Sequence, residues 1–482
     1  MVSIPSPHRA RVGRLDLGSP RADGGFRIDR LATICHFSDL HVLDAVSPMR
    51  FEWIQTLAHD PLWRPLLHMH RPQESLVPWA VAAHLEALHS DPAATTWGEP
   101  VDLVLCTGDN IDNAQYNELR AYLALMAGGR VVLPVRGGVL DASDAAAGST
   151  WPYWSPLGRV PSALRDRGFP VVDDFFERVA EGVESPGVGL PWASLPGNHD
   201  LLCQGAALVN AALARVAVGA RKGVLPPAGF APADPLALFV DEPQQFLAEA
   251  TRTIVGDVSR RPIDLAEWLE AHVEAGALGY SAAHVARQSA DAVVELEQVS
   301  VVMLDTNHPA GNDQGSVGQA QLDWLDEVLT RIDDTPGRLA VLASHHGVDS
   351  LVNTHGDAPD RRLGDALLAV VHRHPCVVAW LVGHRHVHQV TARPGPAGGF
   401  YEITTASIID WPVERRVLEI FRHDDGLIEI VSTVDSHGAA EGTLAALHRE
   451  LAHRFGGRRL NTMMEGTEDD RDVRMYIHRP LP

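Results

Sequence analysis

Apolar residues in this chain gather in short runs, each closed by a polar turn, which is the pattern of buried strands feeding loops. Such runs lie at 31–37, 101–106, 191–196, 299–304, 339–344 and 377–382. Further strands are read at 399–409, 416–420 and 427–431, with a hairpin through Asp424-Asp425-Gly426 joining the last two. Helical spacing appears at 61–90, where Leu66, Leu67, Val77, Val81, Leu85 and Leu88 recur on one side, and at 318–331 through Leu322, Leu325, Val328 and Leu329. Asp264 is placed to cap a helix over 264–275 ahead of Leu265, Trp268 and Leu269, and one more helix is read at 443–453. Together these elements predict an α/β fold.

Two long connections interrupt the alternation, at about 113–190 and about 201–298. The first holds a hairpin candidate between Gly128-Gly129 and Gly137-Gly138. It also holds the aromatic cluster Trp151-Pro152-Tyr153-Trp154, readable as a wall for a ring or as a plug for the insert. Both inserts are expected to form a cap in which substrate choice lies. The expected organisation is a lead-in over 1–30, a main domain over 31–435 carrying the inserts, and a C-terminal helix and tail over 436–482.

With 482 residues, 45% of them hydrophobic, the chain can bury a large core. Its formal net charge of −22 argues against a nucleic-acid surface, which is held by Lys and Arg. A small phosphorylated substrate stays open, because bound cations invert the local field. Cys35, Cys106, Cys203 and Cys376 are scattered and read as buried reduced thiols. No run approaches the roughly 18 apolar residues of a membrane span, and no apolar region follows Arg9, Arg11 and Arg14 as a secretory signal requires. The expectation is a cytoplasmic protein with no membrane or nucleic-acid partner; the oligomeric state is left unassigned.

The chemistry lies where the runs end. The first delivers Asp39 and His41; the second Gly108, Asp109 and Asp112; the third Gly197-Asn198-His199-Asp200. The fourth delivers His345 and His346, and the fifth Gly383-His384-Arg385-His386. Loops just past strand ends are held by a rigid sheet and can be aimed at one ligand. Residues two apart in extended chain share a side, which would pair Asp39 with His41 and His384 with His386. The glycines mark tight turns or close approach to ions. Oxygen and imidazole donors without cysteine suit Mn, Fe or Zn. Each residue alone could merely cap a strand; five such endings in one order are specific. Most of the 25 histidines are read as bland, including His68, His70, His84, His89, His272, His284, His372, His374 and His448.

This set resembles the calcineurin-like metallophosphoesterase superfamily, whose ordered signature is Asp-x-His, Gly-Asp-x-x-Asp, Gly-Asn-His-Asp/Glu, a histidine after a strand, and Gly-His-x-His. Leu304-Asp305-Thr306, the 321–325 stretch and the 401–405 stretch are also similar, and the inserts together with Ile409-Asp410-Trp411-Pro412 look like a long-insert, uncharacterised bacterial branch. The resemblance implies a four-layer αββα sandwich and two metal ions. Asp39, His41 and His386 would hold one; Asn198, His345 and His384 the other; Asp109 would bridge them. His345 is preferred to His346 by the same resemblance. His199 is expected to serve the leaving oxygen and Asp112 to orient His199. His346, Asn307 and Asn113 are read as supporting or plain loop residues, and Asp305 as structural.

The implied activity is hydrolysis of a small phosphomonoester or phosphodiester by in-line attack of a metal-held hydroxide. The alternatives are a nucleotide-type pyrophosphate hydrolase on the same site, or an inactive sensor or scaffold. Asn113 stands where phosphoprotein phosphatases carry Arg, which counts against a phosphoprotein substrate. Asp112 stands where purple acid phosphatases place a tyrosine ligand, so no tyrosinate colour is expected. Gly347-Val348 replaces the prolines that follow the paired histidine in many small diesterases, so cyclic-nucleotide hydrolysis is not favoured by any residue here.

Overall fold

The strand-like runs pair into two mixed β-sheets packed face to face, in a computed structural model that describes residues 13–17, 28–90, 100–141, 152–396 and 398–478. In chain order their strands are β1 (Gly13–Leu17), β2 (Ile28–Phe37), β3 (Leu103–Thr107), β4 (Trp192–Leu195), β5 (Ala292–Glu295), β6 (Val299–Leu304) and β7 (Leu339–Ser344). Then follow β8 (Val377–Val382), β9 (Gln389–Arg393), β10 (Phe400–Thr404), β11 (Glu414–His423), β12 (Leu427–Ser436) and β13 (Val473–His478). The first sheet runs β1-β13-β12-β11-β2-β3-β4 and the second β9-β10-β8-β7-β6-β5. Within the first, β2, β3 and β4 are parallel; within the second, β6, β7, β8 and β10 are. Parallel neighbours end at the same edge, and that is what assembles the site.

Side-chain alternation sorts the residues into layers. Leu103 and Leu105 face the second sheet with Ile34, Leu195, Val301, Met303 and Val341, whereas Val104 and Cys106 face outward into a helical layer. That layer contains Val77–Ser90, Tyr116–Ala127 and Leu265–Glu274. Gln319–Asp333 and Gly364–Val371 cover the other side of the second sheet over Leu342, Trp380 and Val382. The result is the expected four-layer αββα sandwich. Both faces of the central strands are buried, which is why they read as unbroken apolar runs. Each fully buried Leu, Ile or Val contributes about 1.5–3 kcal/mol. Asp264 caps its helix as expected, its Oδ1 accepting from Glu267 N at 2.9 Å.

Several elements differ from the sequence reading. The helical cover expected from residue 61 is a 3-10 segment, Pro61–Met69, with Pro65 inside it, and the α-helix begins only at Val77. The Gly-rich hairpin does not close locally: Gly129–Val131 pairs with Val183–Ser185 across the insert. β10 stops at Thr404 because the chain then turns back over the site, where Ile408 N donates to the carbonyl of Ser38 at 3.2 Å. The lead-in and the tail both enter the first sheet, as β1 and β13, so its edge does not fall at residues 30 and 435. The C-terminal helix runs Leu444–Glu465 with a non-helical Gly457 (φ 67°, ψ 169°). Trp151 lies outside the described residues. All four cysteines are buried, and no helix among the described residues is long and apolar enough to cross a membrane.

Candidate metal centre

Loops leaving β2, β3, β4, β7 and β8 meet at one edge of the sandwich and are laced together by main-chain bonds. Asp39 N donates to Gly108 O at 3.1 Å, His41 N to Asp109 O at 2.8 Å, and Gly383 N to His345 O at 3.0 Å. Asp200 braces two of the loops: its carboxylate accepts from the backbone N of Gly197 (2.8 Å), Asn110 (3.2 Å) and Ile111 (3.2 Å). Burial, followed by the neighbouring Asp109 charge, pushes the Asp200 carboxyl up to about 7.

Asp39, His41, Asp109, His384 and His386 all sit in the left-handed region, with φ from 50° to 67°. Each such non-glycine residue costs about 1–3 kcal/mol. Asp39 and His41 therefore meet in one donor group through left-handed residues on either side of Leu40, not through the extended alternation that the sequence suggested, whereas His384 and His386 fall in different groups. The glycines serve loop-to-loop approach. A Cβ at Gly197 would fall 2.3 Å from Asp109 Oδ1, and one at Gly383 would fall 1.8 Å from Ser38 Oγ.

Three imidazoles repeat one arrangement. His41 Nδ1 lies 2.9 Å from Asp112 Oδ1, His386 Nδ1 lies 2.8 Å from Asp410 Oδ2, and His345 Nδ1 lies 2.8 Å from the Thr107 carbonyl. With Nδ1–H donating outward, each Nε2 presents a lone pair inward, toward more lone pairs. His41 Nε2 is 3.7 Å from Asp109 Oδ2 and has no hydrogen-bond partner although buried. His345 Nε2 is 3.3 Å from Asp109 Oδ2 and 2.9 Å from Asn198 Oδ1, and His386 Nε2 is 3.2 Å from Asp39 Oδ1. Acceptors facing acceptors need positive charge between them. Without ions, protons supply part of it: burial opposes the charge on His345 and His386, but Asp109 and Asp39 respectively raise each to about 9. A cation satisfies every donor at once, and the oxygen–imidazole set fits first-row ions such as Mn, Fe or Zn.

The donor atoms form overlapping groups, Asp39–His41–His386, Asp39–Asp109–His345 and His345–His346–His384, each within 4.8 Å. Asp109 Oδ2 lies between His41 and His345, and its Oδ1 accepts from His199 N at 2.8 Å. His384 places its ring 5.1 Å from that of His345. Both ring nitrogens of His346 are occupied, Nδ1 by Thr306 Oγ1 (2.9 Å) and Nε2 by the Asp313 carbonyl (3.0 Å). Asn113 braces Gln204 and Met49, Asn307 reaches the Pro196 carbonyl (3.4 Å), and Asp305 closes the end of β6 by accepting from Asn307 N (3.0 Å).

Asp112 acts on two histidines by different atoms. Its carboxylate is nearer His41 (2.9 Å) than His199 (3.4 Å), while its main-chain carbonyl accepts from His199 Nδ1 at 2.7 Å. Burial opposes charge on His199, but Asp109 and Asp112 outweigh it and raise its pKa.

Over these residues lies a cavity of about 440 Å³. Its walls come from Gln55, Leu67, His68, His70 and Arg71 on one side and from Trp411, Phe455, Leu460 and Met464 on the other. The expected cap of the two inserts is therefore corrected: among the described residues of 113–190 and 201–298, none lines the cavity. The inserts instead buttress its walls. Phe239 and Phe246 pack against Phe51, Trp53 and Trp63, and Trp154 and Phe175 join Leu76, Leu444 and Leu451 in one apolar cluster. His68 and His70, read as bland, line the cavity. Arg50, Arg71 and Gln204 escaped the sequence reading, and Asp410 entered it only within the 409–412 segment, though Asp410 touches His386 and the others touch Asp112 or Asp410. The one available signal was the clustering of charge in an otherwise apolar stretch after β2, at Arg50, Glu52, Arg71 and Glu74.

Carboxylates and imidazoles thus converge from five strand ends on an αββα sandwich, in groups whose donor atoms could hold metal ions. The order of the motifs is the one on which the resemblance to the calcineurin-like metallophosphoesterases rests. No family model matches the chain. A stretch of 136 residues is 29% identical to the manganese-dependent ADP-ribose/CDP-alcohol diphosphatase of Xenopus tropicalis, covering 26% of this chain and 37% of that protein. The Xenopus laevis protein of the same name is 27% identical over 136 residues, covering 26% and 35%. The chain thus spans little more than a third of the length of these relatives. Among solved structures, a dimetal phosphatase from Danio rerio aligns with 85% of this chain and 97% of its own, at a TM-score of 0.40 and 12% identity.

Proposed function

We propose that the chain is a binuclear metal-dependent phosphoric ester hydrolase acting on a small phosphomonoester or phosphodiester. The observation that carries this reading is Asp109, whose Oδ2 lies 3.7 Å from one inward-facing imidazole nitrogen and 3.3 Å from another. In this reading Asp39, His41 and His386 hold one ion, Asn198, His345 and His384 the other, and Asp109 bridges. A bound pair of this kind polarises a phosphoryl oxygen and lowers the pKa of water.

The chain's own residues supply the rest. His199 Nδ1 is committed to the Asp112 carbonyl, so Nε2 is the nitrogen that carries a proton to the leaving oxygen. Arg385, an exposed cation on the cavity wall, meets an anionic part of the substrate, and the apolar side at Trp411, Phe455 and Leu460 receives the alcohol portion. The net charge of −22 and the cavity of about 440 Å³ favour a small molecule over a nucleic acid. Four scattered, buried cysteines support a reducing compartment, the cytoplasm in this reading.

A second reading, hydrolysis of a pyrophosphate in a nucleotide derivative, is favoured by one observation: the stretch that is 29% identical to an ADP-ribose/CDP-alcohol diphosphatase. The test is to strip the protein with chelator, restore Mn, Fe or Zn, and assay p-nitrophenyl phosphate, its bis ester and ADP-ribose. Metal-dependent release from the simple esters supports the first reading, and cleavage of ADP-ribose alone supports the second. No turnover on any substrate with two ions bound rejects hydrolysis and leaves the inactive sensor or scaffold.

A further inference from the structure

His41 and His386, which group together with Asp39, are each backed by a carboxylate, and each carboxylate by a buried arginine. Asp112, 2.9 Å from His41 Nδ1, is paired through its other oxygen with Arg50 Nη1. Asp410, 2.8 Å from His386 Nδ1, lies 2.8 Å from Arg71 Nε and takes a further bond from Gln73 Nε2 at 3.0 Å. Glu74 ties the two relays together: its Oε2 accepts from Arg50 Nη2 (2.9 Å) and from the backbone N of Arg71 (2.8 Å). Arg50 is 1% exposed and Arg71 6%. The segment 50–74 therefore reaches both imidazoles at once.

The other ligand set is supported differently. His345 Nδ1 donates to a neutral carbonyl, that of Thr107, and Asn198 Nδ2 donates to the carbonyl of Gly205 at 2.8 Å. An imidazole whose far N–H is held by a carboxylate is a more basic and better-oriented ligand than one held by a carbonyl. The arginines fix Asp112 and Asp410 in place by direct side-chain contacts.

We propose that Arg50, Arg71 and Asp410 are positioning residues which, together with Asp112, make the Asp39–His41–His386 site the tighter of two unequal cation sites. The inference rests on the two-ion reading above. It predicts stepwise loading, with the ion at Asn198, His345 and His384 released first.

The test uses the full chain, stripped with chelator and titrated with Mn²⁺ at buffered free concentrations. Bound Mn is read by elemental analysis, and the spin coupling of a bridged pair by electron paramagnetic resonance. For Asp410→Asn, one binding step is expected to weaken by about 10- to 100-fold while the other stays put. The coupled spectrum then forms only at higher free Mn²⁺. Arg71→Lys keeps the charge but not the Nε contact, so it should fall between wild type and Asp410→Asn. It also serves as the readout if Asp410→Asn does not fold. Two wild-type binding steps in the folded variants, or equal weakening of both steps, overturn this inference alone. Uptake of fewer than two ions by the unsubstituted protein overturns the proposed function and this inference with it.

Discussion

Gly197→Ala tests the geometry of the centre without removing any donor. A Cβ at position 197 would stand 2.3 Å from Asp109 Oδ1 and 2.4 Å from Asp109 N, so a shift of at least 0.7 Å is needed to reach the 3.0 Å that real Cβ contacts respect. The carboxylate cannot swing aside alone, because the Asp109 main chain is struck as well and is pinned by the bond from His41 N (2.8 Å). Overpacking of this kind costs about 1–3 kcal/mol. An unfolding entropy near 2.1 cal/mol/K per residue gives a chain of 482 residues about 1 kcal/mol/K, so the melting temperature should fall by only about 1–3 °C. A displacement approaching 1 Å at the bridging ligand is expected to lower turnover by about 100-fold. Activity on bis-p-nitrophenyl phosphate at saturating Mn²⁺, measured beside a thermal melt, separates the two effects. Wild-type turnover in a folded Gly197→Ala protein would refute the placement of Asp109 between the two ligand sets.

Two other outcomes follow from the same coordinates. His199→Ala should keep two ions per chain while losing about 10²–10⁴ in turnover on esters with poor leaving groups and much less on nitrophenyl esters; equal losses on both, read by steady-state kinetics, would exclude proton delivery. His374 bridges Asp333 (2.7 Å) and Asp326 (2.8 Å), and although burial opposes its charge these carboxylates raise its pKa above 6.5. Because the folded value is the higher one, the stabilisation is complete below pH 6.5 and fades as pH rises through the folded pKa. Thermal melts from pH 6 to pH 9 should show His374→Gln losing about 1 kcal/mol or less at the acid end and converging with wild type at the alkaline end; a constant gap across that range contradicts the assignment.

The parts of the fold visible in the sequence are those buried on both faces. β6, β7 and β8 have the bounds expected of their apolar runs, because positions between a helix layer and a second sheet are filled almost wholly by apolar residues. β9 and β13 were hidden because Gln389–Arg393 is half-buried throughout and Val473–His478 alternates with Arg and His, so neither has a continuous run. Ligand-type residues showed through because each follows a strand in a short motif. Their supports did not: Asp410 reaches His386 across 24 positions and Arg50 reaches Asp112 across 62, distances over which a sequence has no local pattern. The cap was misplaced for a related reason. Long connections suggest a lid, but the cavity walls come from the compact 3-10 segment after β2 and from the far half of the C-terminal helix.

The place of β13, between β1 and β12, bears on how the protein can be handled. Trimming the chain short of Val473 would strip away β13, which is also the partner of β1. That would leave β12 with a raw, unpaired edge over Leu427–Ser432. Such a border invites a second molecule to add its own strand, so shortened forms should be prone to clump, and a purification tag belongs where it leaves this seam intact.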